Sequence, residues 1–154
     1  MPGIDEKDRE ILRILRKEGR ITLTELGKRV SLSPASVKNR VEKLEKLGAI
    51  RGYSAIVDPA FLNEFIQALF EVRLSVDDRS VDGILRRIAS LDNVCGVYRR
   101  TGENQVLIKA HFRDITGVKE FAGLLKRRYF GKNLERVEVT IILDSFKDNW
   151  VKLW

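Results

Sequence analysis

The sequence predicts an α+β chain in which three N-terminal helices precede a β-α-β-β-α-β unit. Two kinds of hydrophobic periodicity support this division. Up to Gly48, apolar residues recur every three or four positions, as on the buried side of an amphipathic helix. From Gln67, apolar and polar residues alternate, as in a strand with one buried face, and segments of both kinds then follow. We therefore expect two folding units of different architecture within the 154 residues.

The three N-terminal helices are marked by start and stop signals. The first is expected from Asp5 to Lys17 and the second from Thr24 to Val30, with a tight turn after it. The third begins at Pro34, because Ser33 can cap it and proline suits a first turn that needs no backbone donor. It ends near Gly48, since glycine commonly follows the last helical residue. Two helices joined by a tight turn, with a third closing the core, form a helix-turn-helix domain.

The third helix is basic on its outward faces. Its apolar stripe includes Val37, Val41 and Leu44, and its first part, Ser36 to Arg40, contains no acidic residue. Arg, Lys, Asn and Ser reach base edges and phosphates, and recognition helices usually meet bases near their start. The sequence therefore predicts a domain that binds double-stranded DNA. The residues expected to contact DNA are Thr22, Thr24, Ser33, Ser36, Lys38, Asn39, Arg40, Lys43 and Arg51.

A second interpretation of this helix stays open. Its cations are interleaved with Glu42 and Glu45 at helix-stabilising spacings, which is also typical of an ordinary solvated face. The charge of the whole chain favours DNA without deciding the question. There are 29 Lys and Arg against 22 Asp and Glu, a net charge of +7, and a basic chain favours nucleic acid or an anionic surface.

The segment after the third helix is predicted to be a short strand. Ala49–Val57 contains β-forming residues and ends at Asp58-Pro59, a pair that favours a turn. An isolated short strand is barely stable, so we expect it to pair with another segment, such as one from a second copy. The predicted domains are residues 1–49 for DNA binding, 50–63 for the strand and hinge linker, and 64–154 for dimerisation and effector binding, with a C-terminal tail.

The second unit is predicted to contain four strands and two helices. In chain order these are Gln67–Val76, Ser80–Leu91, Val94–Thr101, Val106–Phe112, Val118–Arg128 and Val137–Leu143. This order is that of a ferredoxin-like βαββαβ domain. Two helices cover only one face of such a sheet, so the other face is expected to expose apolar side chains. Those expected there are Leu69, Val97, Leu107 and Ile142. We therefore expect this face to form the interface of a homodimer.

Composition disfavours several classes of protein. No stretch approaches the roughly 20 apolar residues that cross a bilayer. The start MPGIDEKDRE is acidic and polar, unlike a secretory signal, so we expect a cytoplasmic protein with no membrane partner. One cysteine, Cys95, and one histidine, His111, provide neither a disulfide nor a metal site, and both are expected on strands. No cofactor or catalytic residue is predicted. Abundant charges with one Met and one Cys indicate an archaeal or thermophilic source.

Several motifs together carry a resemblance to a known family. They are D-x-x-D-x-x-I-L-x-x-L from Asp5 to Leu15, the pair Gly19-Arg20, the run LSPASVKNRVEKLEKLGAI from Leu32 to Ile50, and Thr101-Gly102. With them, residues 5–143 resemble the Lrp/AsnC family of bacterial and archaeal transcription regulators, also called feast/famine regulators. The resemblance implies an N-terminal helix-turn-helix that binds operator DNA. It also implies a C-terminal ferredoxin-like domain that assembles dimers into larger rings and senses amino acids.

The resemblance further implies an effector site at the loop around Thr101-Gly102. Family members commonly continue with an acid, an aromatic residue and an aspartate, whereas this chain has Glu103-Asn104-Gln105. An amide in the last position keeps hydrogen bonding but not a fixed negative charge. The implied effector-binding residues are Thr101, Gly102, Glu103, Asn104 and Gln105. The alternative, that these residues simply form a hairpin loop between strands, stays open.

The main functional prediction is a sequence-specific DNA-binding transcriptional regulator that acts as a dimer or an assembly of dimers, with amino-acid modulation implied by the resemblance. A sequence-tolerant DNA-architectural protein is the first alternative. A tetrapyrrole decarboxylase-like enzyme is the second, since some proteins resembling this family have that activity, although His111 alone offers such chemistry little support. The tail from Ser145 adds Phe146, Trp150, Val151 and Trp154 at nearly helical spacing, and such aromatic residues usually need burial or a partner.

Overall fold

The computed structural model describes residues 3–154, which form two compact units. The first unit comprises the chain up to Ile56 together with Ser145–Trp154, and the second is Val57–Asp144. The chain therefore leaves the first unit, forms the second, and returns to the first. Each unit has a hydrophobic core of its own, as separately folding units do.

The first unit is built on three helices, each of which begins at a side-chain cap. The helices are α1 Glu6–Leu15, α2 Leu23–Val30 and α3 Pro34–Lys46. Asp5 caps α1 in a reciprocal pair with Asp8, Thr22 caps α2, and Ser33 caps α3. Their buried faces meet in one core, which consists of Ile11, Leu26, Val30, Val37 and Leu44. The helix-turn-helix predicted from the sequence is confirmed.

The turn between α2 and α3 depends on a glycine and on a left-handed residue. Ser31, with φ 58°, ends α2. A Cβ atom on Gly27 would lie 2.5 Å from the carbonyl oxygen of Leu32, closer than non-bonded atoms approach. The missing side chain at Gly27 therefore lets the turn lie directly against α2 and sets the direction in which α3 begins.

The strand predicted over Ala49–Val57 is absent. None of residues 51–58 is in a strand, although Ile50 packs against the core of the first unit. A strand needs a hydrogen-bonding neighbour, and no described strand pairs with this segment. The turn predicted at Asp58-Pro59 is present, because Asp58 caps a short 3₁₀ helix, Pro59–Leu62.

The second unit is a four-stranded antiparallel sheet with helices on one face. Its elements are β1 Ile66–Leu74, α4 Asp82–Ala89, β2 Val94–Arg99, β3 Val106–Phe112, α5 Ile115–Leu124 and β4 Leu134–Ile142. The strand order is β2-β3-β1-β4. Alternate residues of β1 and β3 are buried against the helices, and the rings of Phe70 and Phe121 pack edge to face at a centroid distance of 4.8 Å. The predicted ferredoxin-like fold is confirmed.

Both helices of this unit differ in extent from the prediction. A 3₁₀ turn, Arg79–Val81, precedes α4 in place of the first turn of one longer helix. The helix predicted to end at Arg128 instead divides, because α5 is followed by a π-helical turn, Leu125–Phe130, and then by a 3₁₀ turn, Gly131–Asn133. The wider π-helical turn allows Leu125 and Phe130, five positions apart, both to face the core.

One predicted assignment to a face of the sheet is wrong. Val97 was expected on the uncovered face, but it lies opposite Ile108 and packs against the helix-covered core. The register of β2 shifts between Val94 and Gly96, so one extra residue is inserted into the alternation. Such a bulge reverses which side chains face the core beyond it.

The C-terminal tail is a β-hairpin and does not form the helix that its spacing suggested. Its strands are β5 Lys147–Asp148 and β6 Val151–Lys152. Asn149 and Trp150 form the turn with φ values of 42° and 71°, a backbone conformation that ends any helical pattern and suits a two-residue hairpin.

In the structure, the tail contacts the N-terminal unit. It was assigned to the domain 64–154, whereas the structure groups it with the N-terminal helices. The contact is visible at Trp150, whose ring centre lies 3.9 Å from the guanidinium carbon of Arg16, the residue that follows α1; this is a cation–π contact. Phe146 and Trp154 are largely exposed, so the predicted burial of the tail aromatics holds only in part.

Candidate DNA interface and effector loop

The first turns of α3 present polar side chains that have no partner inside the protein. Lys38 and Asn39 are exposed, and neither side chain forms a hydrogen bond or ion pair with any of residues 3–154. Ser36 lies next to them and is half-buried, with its backbone N–H donating to the Ser33 hydroxyl at 3.2 Å. This part of the helix therefore keeps an amide, a cation and hydroxyl groups available to another molecule.

Arg40 and Lys43, two of the predicted DNA contacts, lie in an ion-pair cluster with α1. Arg40 Nη1 is 2.7 Å from Asp5 Oδ1 and 3.1 Å from Asp8 Oδ1. Lys43 Nζ is 2.6 Å from Asp8 Oδ2. The two cationic side chains are 26% and 39% exposed, so they are partly withdrawn from solvent. The cluster fixes α3 against the start of α1 and balances both cations within the unit.

The two acids of this cluster are held in their charged form. The hydrogen bond from Arg40 lowers the pKa of Asp5 from 3.8 to about 2. Burial acts to raise the pKa of Asp8, which is fully buried, but hydrogen bonds from Lys43, from the Asp5 N–H and from Arg40 outweigh it, so this pKa is lowered. A buried carboxylate is tolerated because each oxygen is paired with a cation.

Sequence reasoning did not assign this role to the two acids. In the sequence, Asp5 and Asp8 are recognisable as part of a family motif and as acids early in a helix. The available signal was their spacing of three residues, which places both carboxylates on one side of α1. Lys7 was missed as well: its Nζ donates to the carbonyl oxygen of Val30 at 2.6 Å and so satisfies the end of α2.

The remaining predicted DNA contacts are hydroxyl residues at helix starts and one arginine. Thr22 and Ser33 each accept a hydrogen bond from the backbone N–H three residues later. Their own O–H groups stay free to donate to a phosphate. Thr24 and Arg51 are exposed, and within residues 3–154 their side chains have no hydrogen-bond or ion-pair partner. The structure therefore brings Thr22 and Thr24 together at the start of α2 and leaves Arg51 outside any helix or strand.

The predicted effector loop is closed by polar contacts with β1. The carboxylate of Glu103 pairs with Arg73, and the side-chain amide of Asn104 donates to the Glu71 carboxylate at 3.2 Å. Arg100 reinforces the closure, because it lies 2.9 Å from Glu71 and donates to the Asn104 carbonyl at 2.7 Å. Two of the five predicted effector residues are thus occupied by contacts within the fold.

Gln105 extends the hydrogen bonding of the central strand. Its Oε1 accepts from the Leu74 N–H at 2.9 Å, and its Nε2 donates to the Leu74 carbonyl at 3.4 Å. The side-chain amide therefore pairs with a peptide group as a neighbouring strand would. Gly102, with φ 100°, makes the turn, and Thr101 is exposed. These contacts support the hairpin interpretation of the loop.

Replacing Gln105 by Ala is expected to lower the free energy of unfolding by about 1 to 2 kcal/mol, because the N–H and C=O of Leu74 lose their partner. Chemical denaturation of the full chain measures this change. Thr101→Ala is the matched control in the same loop and should leave stability nearly unchanged. An unchanged stability of the Gln105 variant together with lost amino-acid binding would show that Gln105 serves a ligand instead of the fold.

Cys95 and His111 lie on β2 and β3, as predicted. His111 contacts Gln67 of β1 and Glu64, which lies just before that strand. Among residues 3–154 there is no group of three or more His, Cys, Asp or Glu side chains that could hold a metal ion. Within the same range, no helix has the length and apolar character needed to cross a membrane.

Two family models match successive parts of the chain. Residues 4–51 match a winged helix-turn-helix DNA-binding model, and residues 67–151 match the Lrp/AsnC ligand binding domain. The chain belongs to the Lrp/AsnC family. It is a DNA-binding transcriptional regulator with a ligand-binding domain, as the resemblance implied.

Relatives of this Lrp/AsnC member span nearly its whole length. An uncharacterized HTH-type transcriptional regulator of Pyrococcus furiosus is 49% identical over 154 residues, covering 99% of each chain. The leucine-responsive regulatory protein of Escherichia coli is 32% identical over 143 residues, covering 91% of this chain and 87% of that protein. A solved transcriptional regulator from Neisseria meningitidis, in complex with L-Met, has 26% identity and a TM-score of 0.78, covering 94% of this chain and 93% of that one. The Pyrococcus relatives agree with the predicted archaeal source.

Proposed function

We propose that this regulator reads specific operator DNA with the first turns of α3 lying in the major groove. The observation that supports this most directly is the pair of exposed, unpartnered side chains Lys38 and Asn39. Asparagine can make two hydrogen bonds to adenine, and lysine contacts guanine or phosphate. The hydroxyls of Ser33 and Ser36 lie beside them on the same helix start.

Arg40 and Lys43 have a different role in this proposal. Because both are paired with the acids of α1, they set the angle at which α3 is held and contribute little free charge. The cap hydroxyls of Thr22 and Ser33, with Thr24 and Arg51, are proposed to contact phosphates, which position the protein without reading sequence.

Selection of bound fragments from random double-stranded DNA tests the proposal. A sequence-specific regulator should enrich a partly palindromic motif whose half-sites lie about 10 base pairs apart or at a multiple of that spacing. Footprinting of the enriched DNA should then show discrete protected half-sites. Continuous coverage without an enriched motif would instead support the alternative of a sequence-tolerant architectural protein.

We also propose that the uncovered face of the sheet joins two copies of the chain. The apolar side chains on that face are Leu69, Tyr98, Leu107 and Ile142. In the neighbouring strands, Leu69 lies opposite Lys109, and Ile142 lies opposite Gln67. Leu107 lies between Tyr98 on one side and Glu71 on the other. Tyr98 is 53% exposed in the single chain. A half-apolar sheet face of this kind is stabilised by packing against another surface.

Leu107→Glu is expected to shift the protein from dimer to monomer, because it places a charge in the middle of the proposed interface. Sedimentation velocity measures the change. Val139→Glu is the control, since Val139 is an exposed apolar residue of β4 that lies opposite the buried Phe70 and therefore points to the other side of the sheet. Equal dissociation by both variants, or by neither, would contradict the assignment of this face.

An amino acid is the proposed class of effector, because the second unit matches the Lrp/AsnC ligand binding domain and a structural neighbour holds L-Met. Repeating the DNA selection with and without the twenty amino acids tests this proposal, since an effector should change the enrichment. We further propose that the protein acts in the cytoplasm and catalyses no reaction, as expected of a regulator whose relatives are transcriptional regulators.

A further inference from the structure

The helical layer of the second unit is much more basic than its sheet. The helical segments from Arg79 to Asn133 carry eight Lys and Arg against two acids, Asp82 and Glu120. The four strands of the sheet carry four Lys and Arg against three acids. The unit as a whole carries 14 Lys and Arg against 13 Asp and Glu. Its cations are therefore concentrated on the helical layer, whereas most of its acids lie in the connecting segments.

The two layers also differ in how their cations are paired. On the strands, Arg73, Arg99 and Arg136 each form an ion pair with a carboxylate, and Lys109 has a partner as well. None of the eight cations on the helical segments forms an ion pair with any of residues 3–154. Intramolecular pairing therefore balances the charges of the sheet and leaves those of the helical layer unbalanced.

Six of these unpaired cations belong to adjoining segments and are exposed. We call them the basic helix face: Arg86, Arg87, Lys126, Arg127, Arg128 and Lys132. The Arg87 guanidinium lies 5.3 Å from the ring centre of Tyr129, which places α4 beside the π-helical turn. Because that turn buries Leu125 and Phe130, the three cations between them are all left outside the core.

Within the helical segments, only two negative charges offset this face. Asp82, at the start of α4, is itself paired with Arg99. Glu120 lies in α5, one turn or more before Lys126. An array of unpaired, exposed cations repels itself, and a polyanion relieves that repulsion while releasing its own counterions.

We propose that the basic helix face is a second DNA-binding surface, which contacts backbone phosphates without regard to sequence. The partner is the same class of molecule that the proposed function assigns to α3, and the inference rests on that function for its choice of DNA. The surface contains Lys and Arg and no side chain arranged to read bases, so it adds affinity on any duplex that is long enough to reach it.

The test compares two double variants of the full-length protein on a non-operator duplex of about 150 base pairs. Lys126→Gln with Arg128→Gln neutralises two cations of the face, after the end of α5. Arg113→Gln with Lys119→Gln is the matched control, because it also removes two exposed, unpaired cations, one before α5 and one within its first half. Affinity is measured over a series of salt concentrations, and sedimentation establishes that both variants assemble as the parent does.

The face variant is expected to bind the long duplex about tenfold more weakly, with its salt slope reduced by about 2, because each lost phosphate contact removes nearly one unit. The control variant should leave both the affinity for the long duplex and the salt slope nearly unchanged. Equal effects in both variants, or no effect in the face variant, would overturn the proposal.

A second measurement distinguishes a failure of the basic helix face from a failure of the DNA-binding role proposed for α3. The same variants are measured on a short duplex that carries only the selected operator, where the face variant should retain its preference for operator over scrambled sequence. Loss of that preference in Lys38→Ala with Asn39→Ala, but not in the face variant, would support two distinct surfaces. A face variant with an unchanged slope and an α3 variant with lost preference would reject the second surface and leave the proposed function standing.

Discussion

Replacing Asp8 by Asn is expected to lower the free energy of unfolding by about 2 to 4 kcal/mol. The reason is that the neutral amide no longer balances the positive charges of Arg40 and Lys43, which pair with the buried carboxylate. Asp8 is fully buried and accepts hydrogen bonds from Lys43, Arg40 and the Asp5 N–H. Removing the carboxylate therefore disrupts the α1 cap and both contacts that hold α3. Thermal and chemical unfolding of the full chain measure the loss.

Glu6→Gln is the matched control for this prediction. Glu6 is another acid of α1 that forms ion pairs, with Arg9 and Arg13, but its side chain is 64% exposed. Exposed pairs contribute little to stability, so this variant should unfold nearly as the parent does. If both variants were equally stable, the buried cluster would not be what holds α3 in place.

The same cluster predicts how stability depends on pH. The pKa of Asp5 falls from 3.8 to about 2 on folding, chiefly through the hydrogen bond from Arg40, and the pKa of Asp8 is also lowered. A carboxyl group with a depressed pKa in the folded state stabilises the fold fully above its unfolded pKa. That contribution is lost as the pH falls through the folded value. Unfolding at a series of pH values should show this loss beginning near pH 4 and continuing towards pH 2, with a smaller loss in the Asp8→Asn variant.

Replacing Lys38 and Asn39 together by Ala is expected to weaken operator binding by about 2 to 4 kcal/mol and to relax base preference, because a base contact and a neighbouring basic contact are lost together. Both side chains are exposed and unpartnered, so the fold should be unaffected. Binding to operator and to scrambled duplexes, measured at one salt concentration, separates loss of specificity from loss of charge.

Lys46→Ala is the control on the same helix. Lys46 is the last residue of α3 and is exposed, so its loss should weaken binding slightly and to the same extent on both duplexes. Arg40→Ala is expected to behave differently from either, since Arg40 pairs with Asp5 and Asp8: its main effect should be lower stability. If Arg40→Ala relaxed base preference while leaving stability unchanged, Arg40 would contact bases directly.

Local signals in the sequence were enough to predict most of the fold. The Ser33-Pro34 start of α3 is a cap followed by a proline, and both act through neighbouring backbone, so the observed helix begins where predicted. The alternation from Val106 to Phe112 matches β3 at both ends. These features depend on residues only a few positions apart, so local sequence patterns are enough to detect them.

The errors arise where distant residues or small geometric changes decide the structure. The bulge at Val94 and Gly96 adds one residue and moves Val97 to the other face, a change that alternation alone does not reveal. The tail aromatics stand at nearly helical spacing, but the positive φ values of the hairpin turn at Asn149 and Trp150 prevent a helix there. The segment predicted as a strand over Ala49–Val57 lacks a neighbour to pair with in the single chain.

The candidate sites were predicted unevenly for the same reason. The basic start of α3 was visible from composition, and Lys38 and Asn39 are indeed free to contact another molecule. The engagement of Arg40 with Asp5 joins residues 35 positions apart, so no local pattern indicates it. In the loop, Gln105 was considered only as a replacement for an aspartate, and its pairing with Leu74, 31 positions away, became visible only in three dimensions.

Guanine N7 methylation protection on the selected operator tests most directly whether α3 lies in the major groove. Because N7 lies in that groove, we expect two clusters of protected guanines whose centres are about 10 base pairs apart or at a multiple of that spacing. Both clusters should disappear with the variant Lys38→Ala and Asn39→Ala. If parent and variant bound the operator with equal affinity and no guanine N7 were protected, α3 would not be the element that lies in the major groove.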